Sequence, residues 1–320
     1  MAHLMNYKSC DDFTGLRPSH EAVTSLINSE RENAQPSPFA HDSSVLSREE
    51  WVPSGTTIWG AEKILQESNR VSFSVMRSVK SGSPIEIAMV KTAIERMVAN
   101  ALVSDQKIVV LNRIERGDEC SFLHVVNVAF LTISFLHSLH YDTSLIEEVA
   151  VGAFLHDIGK ARVPDTLLCK REVLTSAEVA TIKDHVRYTC TLLSSTEGVS
   201  PLSLLVASQH HERYGGTGYP NGLKGDEISI YSQALSLVDM YDAITSCRCY
   251  SKSENSEEAL RQIERLGGVY FNDFLVKHFI PWIREYLVTQ LKAPMGRSVT
   301  VMIGPDYTGH GSMAVSNGGW

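Results

Sequence analysis

Seven of the chain's twelve histidines fall between Leu123 and Glu212, on segments whose apolar residues recur at three- and four-residue spacing. That coincidence constrains the fold more than any other feature. A helical apolar period predicts helices with one buried face. An imidazole on such a face must find a partner or carry a desolvation cost of about 2–7 kcal/mol. The chain therefore has a polar-burial problem to solve inside an all-α region.

The period starts after Pro84, where Ile87, Val90, Ile94 and Met97 recur with charges between them. Further helices are predicted over about 123–139, 144–158, 176–194, 200–212, 229–245 and 256–266, and a last long one over 272 to about 291. Ser176 and Ser256 stand at helix starts, each with acid in the first turn, as N-caps do. Residues 1 to about 55 are polar and rich in breakers, and read as loop with a short helix near 21–30. The tail SVTVMIGPDYTGHGSMAVSNGGW is Gly-rich with short β-type runs, read either as a small hairpin or as an unstructured end. The expected fold class is mainly α: an N-terminal region over 1–95, a helical domain over 96–285 and a C-terminal tail over 286–320.

Two of the seven histidines, His137 and His140, are accounted for by the exposed end of an amphipathic helix. His156 and Asp157 are different. They close a helix whose stripe is Val149, Gly152, Ala153, His156, Asp157 and Lys160; Gly159 can end that helix and Pro164 blocks its continuation. The pair thus leaves a core helix at its last turn and points into a pocket. His124 opens the preceding helix, His185 lies in the following one, and His210–His211 end the next. Asp239 sits among Leu235, Leu237 and Val238. Capping, a core hydrogen bond or a salt bridge could accommodate each alone. Five separate accommodations ask more of the fold than one shared metal centre.

The donors are imidazole and carboxylate without thiolate, which suits Fe, Mn, Zn, Co or Ni better than Mg or Ca. Five imidazoles and two carboxylates over-supply one ion. Two ions bridged by Asp157 would each have three or four protein ligands and open positions. Two ions ~3.5–4 Å apart generate hydroxide and stabilise a phosphoryl transition state.

Composition narrows the partners. A net charge of −8 argues against a nucleic-acid polymer, which wants a broad basic face. With 43% apolar and 21% charged residues, disorder across the whole chain is ruled out. No segment reaches the ~20 apolar residues that cross a bilayer. The start, MAHLMNYKSC, has no hydrophobic signal core, and the six cysteines show no disulfide framework, so a reduced, cytoplasmic protein is expected. Cys247 and Cys249 have no second cysteine pair and read as two thiols. Lys160, Arg162, Lys170 and Arg171 outnumber Asp157 and Asp165, a local excess of positive charge that suits a small anionic ligand.

HDIGK at His156–Lys160, HHERYGGTGYPNGLKGDEI at His210–Ile228 and LVDMYDAIT at Leu237–Thr245 resemble the HD-GYP family, bacterial signalling hydrolases of the HD superfamily that cleave cyclic di-GMP. The likeness runs from about Asp118 to Phe279 and includes VPDTLL and the His185 segment. It implies an HD-superfamily helical bundle and metal binding by His124, His156, Asp157, His185, His210, His211 and Asp239, with Asp157 bridging. It implies Lys160 as an electrostatic helper at the scissile phosphate, and substrate binding by Tyr219 and Arg248. The implied activity is a phosphodiesterase converting cyclic di-GMP to pGpG and onward to GMP, through a hydroxide bridging two ions, iron or manganese first among them. The alternatives are another cyclic dinucleotide such as 3′,3′-cGAMP as substrate, or a cyclic di-GMP receptor with little turnover. GGDEF-type proteins are the implied partners, and a homo-oligomer is left open.

The chain departs from the family pattern at its rim. Cys120 stands where some members carry a Glu for a third metal, so a third site is not expected. His124 is followed by Val125 instead of Ser, and Thr189 replaces a Gly. Arg248–Cys249–Tyr250–Ser251 lacks the family's final cation unless Lys252 supplies it, and Gln233 stands where Arg is frequent.

Overall fold

The computed structural model describes residues 61–103, 119–170, 172–245 and 256–292. The helices are α1 (Ala61–Ser81), α2 (Ile87–Val103), α3 (Glu119–Ser138), α4 (Thr143–Leu155), α5 (Asp165–Leu168), α6 (Ser176–Lys183), α7 (His185–Ser194), α8 (Pro201–Gln209), α9 (Ile230–Thr245), α10 (Ser256–Arg265) and α11 (Asp273–Lys292). Short 3-10 turns lie at Ile158–Arg162 and Gly225–Glu227. Among the described residues there are isolated bridges but no sheet. The mainly-α expectation holds. The readings for 21–30, for the Gly-rich tail beyond α11 and for Cys247 and Cys249 fall outside the described residues.

Helix α4 is the hub. From Val149 to Leu155 every residue is buried, the pattern of a helix enclosed on all sides. It packs against α2, α3 and α8, and α3 in turn packs against α9. Gly152 makes the α4–α8 approach possible, because a Cβ there would lie 2.6 Å from the carbonyl oxygen of Ser203. At the far end of the bundle Phe135 of α3 meets Phe279 and Trp282 of α11, each with ring centroids 5.2 Å away. The position 95/96 falls inside α2 and 285/286 inside α11.

The N-terminal region over 1–95 is expected to be partly helical, without bounds read for a helix over 61–81; α1 lies there, and Ile64, Leu65, Val71, Val75 and Val79 form its buried stripe. Ser68 and Ser72 are buried in the same stripe, and these two hydroxyls hide its apolar period. The single helix expected over 176–194 is two, divided at Asp184, and α6 is capped by Thr175, whose side chain and that of Glu178 form a capping box. The helix expected to reach 158 ends at Leu155, with His156 as its C-cap.

Gly159 does not close that helix through a left-handed turn. Its role is contact: a Cβ on Gly159 would lie 1.9 Å from the carbonyl oxygen of His185. The 3-10 turn after His156–Asp157 is pressed directly onto the start of α7, and α1 packs on the turn as well.

Candidate metal centre

Five helices deliver the donors. His124 comes from the first turns of α3, His156 and Asp157 from the end of α4, His185 from the start of α7, His210 and His211 from the end of α8, and Asp239 from mid-α9. His124, His156, Asp157, His185, His210 and Asp239 are buried, while His137 and His140 are exposed. All seven expected ligands converge.

Asp157 stands at the middle. Its Oδ2 faces His156 Nε2 at 3.4 Å and His124 Nε2 at 3.9 Å. Its Oδ1 faces His185 Nε2 at 3.2 Å and His210 Nε2 at 3.9 Å. Asp239 Oδ1 adds a second carboxylate to the first group, 3.0 Å from His124 Nε2 and 3.8 Å from His156 Nε2. His211 joins the other, so that Asp157, His185, His210 and His211 present donor atoms within 4.8 Å of one another, as do His124, His156 and Asp157.

The imidazole tautomers follow from the backbone. His156, His185 and His210 each direct Nδ1 at the carbonyl three residues earlier: Ala153 at 2.6 Å, Ile182 at 2.7 Å and Ala207 at 2.8 Å. A carbonyl only accepts, so Nδ1 carries the hydrogen and Nε2 turns its lone pair inward. His124 is oriented differently, with Nδ1 donating to Asp242 Oδ2 at 2.6 Å. Asn127 Nδ2 donates to the other oxygen of Asp242 at 3.2 Å. Asp242 and Asn127 were not singled out from sequence. The signal was present, because Asp239 and Asp242 are spaced i, i+3 on one apolar helix and Asn127 lies i+3 from His124.

Protonation states match a cation site. Burial alone would push Asp157 upward, but Lys160, then His156 and His185, hold its carboxyl well below the usual range. Burial likewise opposes ionisation of Asp239, and His124 foremost reverses the direction. His210 and His211 are held well below the ordinary histidine value, chiefly by burial, and remain neutral. His124 is the exception: burial disfavours its charge, yet Asp239 and Asp242 outweigh it and raise its pKa to about 9, so without an ion this imidazole holds a proton that a bound cation would have to displace. Nε2 of His156 and Oδ1 of Asp157 are buried without a hydrogen-bond partner. Orphaned, inward-facing acceptors around ionised carboxylates are what a divalent ion satisfies. The residues fit such an ion.

Around the centre, Lys160 forms an ion pair with Asp157 Oδ2. Thr189 is fully buried: its Oγ1 accepts from Gly159 N and donates to the His156 carbonyl, both at 3.0 Å. Glu212 accepts from the backbone N–H groups of Asn221 at 2.8 Å and Leu223 at 3.0 Å, organising the Gly-Tyr-Pro loop. Tyr219 stacks on His211, with centroids 4.7 Å apart and planes at 28°. Gln233 spends its amide N–H groups on the carbonyls of Gly225 and Ile228. Arg248 and Ser251 lie outside the described residues, as does the side chain of Cys120.

Fold and donors together define a helical protein with an interior His/Asp centre. Residues 97–273 match the family model described as HD domain, and the chain belongs to that family, carrying the HD-GYP motif set. A cyclic di-GMP phosphodiesterase of Pseudomonas aeruginosa is 33% identical over 218 residues, covering 68% of this chain and 52% of that protein. A 3′3′-cGAMP-specific phosphodiesterase of Vibrio cholerae is 28% identical over 184 residues, covering 57% of this chain and 35% of that one. The chain thus spans about half or less of the length of these curated relatives. A solved protein of Bdellovibrio bacteriovorus described as an HDG"Y"P protein superposes with a TM-score of 0.53 at 18% identity, covering 72% of this chain and 74% of that one. It shares the fold.

Proposed function

We propose that this chain is a metal-dependent phosphodiesterase for a cyclic dinucleotide, cyclic di-GMP first, giving linear pGpG and, with a second cleavage, GMP. The observation that carries the reading is Asp157, whose two oxygens face two separate groups of imidazoles. The names of the relatives point to the same substrate class. His124, His156, Asp157 and Asp239 would hold one divalent ion, and Asp157, His185, His210 and His211 a second, with iron or manganese as the metals. When bound, such ions supply Lewis acidity and lower the pKa of a coordinated water.

The chain's own residues do the rest. In the hydrolysis a water oxygen forms the new bond to phosphorus, the P–O3′ bond breaks, and a proton ends on the departing 3′-oxygen. Lys160, paired with Asp157, would bring its ammonium to the charge that develops on the phosphoryl oxygens. Buried neutral His210 and ionised Asp157 keep their donor atoms turned inward, so the site needs little rearrangement to act. Tyr219, braced by His211, and Arg248 are the proposed nucleotide contacts.

A second reading, 3′,3′-cGAMP as substrate, is favoured by Gln233. It stands where Arg is frequent in the family, and its amide is committed to loop carbonyls, so it brings no charge to the rim. Product chromatography with both dinucleotides separates the readings. Asp157→Ala should abolish turnover with loss of metal, whereas Lys160→Ala should lower turnover at nearly constant metal content. Hydrolysis of neither dinucleotide by fully metal-loaded protein would refute the proposal.

A further inference from the structure

Several cations on the elements around the centre are already engaged. Lys160 is paired with Asp157, Lys170 with Glu178, and Lys80 with Asp165. Arg213 is held inside, its guanidinium donating to Ser236 and lying 5.7 Å from the ring centroids of both Tyr270 and Phe271. Lys183 is different. It is exposed at the last turn of α6, two residues before His185, and has no carboxylate partner among the described residues. Its Nζ lies 4.8 Å from the centroid of the Tyr219 ring.

That ring is not a loose surface group. The Tyr219 backbone N–H donates to the His211 carbonyl at 3.1 Å, and the ring stacks on the His211 imidazole. Lys183 is therefore an ammonium without a carboxylate partner among the described residues, held against an aromatic ring that stacks on the metal centre. Tyr219 gives it a resting place that leaves its N–H donors available to an anion.

We propose that Lys183 is a phosphate-binding residue of this site, a cation additional to those of the family motif. The inference rests on the phosphodiesterase reading above. The ligand it takes is a phosphodiester oxygen of the cyclic dinucleotide. Lys183 contacts substrate and leaves the metal ligands untouched, so its loss should appear in KM and not in kcat.

The test compares wild type, Lys183→Met and Lys183→Arg, all metal-loaded, for KM and kcat with cyclic di-GMP, and for affinity toward pGpG by calorimetry. Lys183→Met should raise KM and the pGpG dissociation constant about tenfold or more, the loss expected of one charge-assisted hydrogen bond. It should also flatten the salt dependence of KM, with metal content and thermal midpoint unchanged. Lys183→Arg, keeping the charge, should stay within about threefold of wild type. Unchanged KM and pGpG affinity in Lys183→Met, with an active wild type, overturns the role of Lys183 alone. A wild type that neither hydrolyses cyclic di-GMP nor binds pGpG overturns the underlying reading and this inference with it.

Discussion

Nδ1 of His124 lies 2.6 Å from Oδ2 of Asp242, and this contact fixes which nitrogen of His124 faces the centre. Asp242 is therefore a positioning residue one helical turn beyond Asp239. Partners of this kind are worth about 10–100-fold in metal affinity. Asp242→Ala should weaken metal binding by that order while the helical circular dichroism is retained. Titration of metal-stripped protein with Mn²⁺ checks it, and wild-type affinity in the variant would remove Asp242 from the account.

Thr189 ties the His156–Asp157 turn to α7 with two hydrogen bonds through one buried hydroxyl. Thr189→Val keeps the shape and leaves the Gly159 N–H and the His156 carbonyl without that partner. The expected loss is about 1–3 kcal/mol in denaturant unfolding. Thr189→Ser should recover most of it. Equal stability of the valine and serine variants would show the hydroxyl to be dispensable.

Cys169 and Cys190 differ in environment: Cys169 is exposed, and burial pushes Cys190 up to about 11. Only the thiolate is nucleophilic. Iodoacetamide at pH 8 should label Cys169 well before Cys190, as read by peptide mass spectrometry. Comparable rates at the two positions would contradict the burial of Cys190.

Much of the centre was legible in the sequence, because buried imidazoles on periodic apolar helices have few solutions. The seven candidate donors were named from helix positions and a motif set, and their donor atoms meet. Asp242 escaped notice, since a carboxylate near a helix end has ordinary surface explanations until a histidine on another helix is seen against it. Helix α1 escaped for a related reason: Ser68 and Ser72 are buried in its stripe and read as polar positions. Thr189 looked like a bare departure from a family glycine. Its role depends on how closely Gly159 approaches α7, which no local pattern encodes.

The capping box of α6 carries a pH signature. Glu178 is held at about 2, first by Lys170 and then by the Thr175 backbone N–H. A carboxyl lowered on folding contributes stability that is present above its unfolded value near 4.5 and lost as pH falls through about 2. Carboxyl-detected NMR should find the Glu178 midpoint near 2, and Lys170→Met should move it upward. A midpoint near the ordinary glutamate value in wild type would mean that the Lys170–Glu178 pair does not persist in solution.

The central claim is a two-ion centre built around Asp157, and elemental analysis of anaerobically purified protein, coupled to cyclic di-GMP hydrolysis on the same sample, tests it most directly. The account predicts two transition-metal ions per chain in active wild type, and loss of both metal and turnover in Asp157→Ala. Active wild-type protein holding one ion or none, or Asp157→Ala with its full metal load, would contradict it.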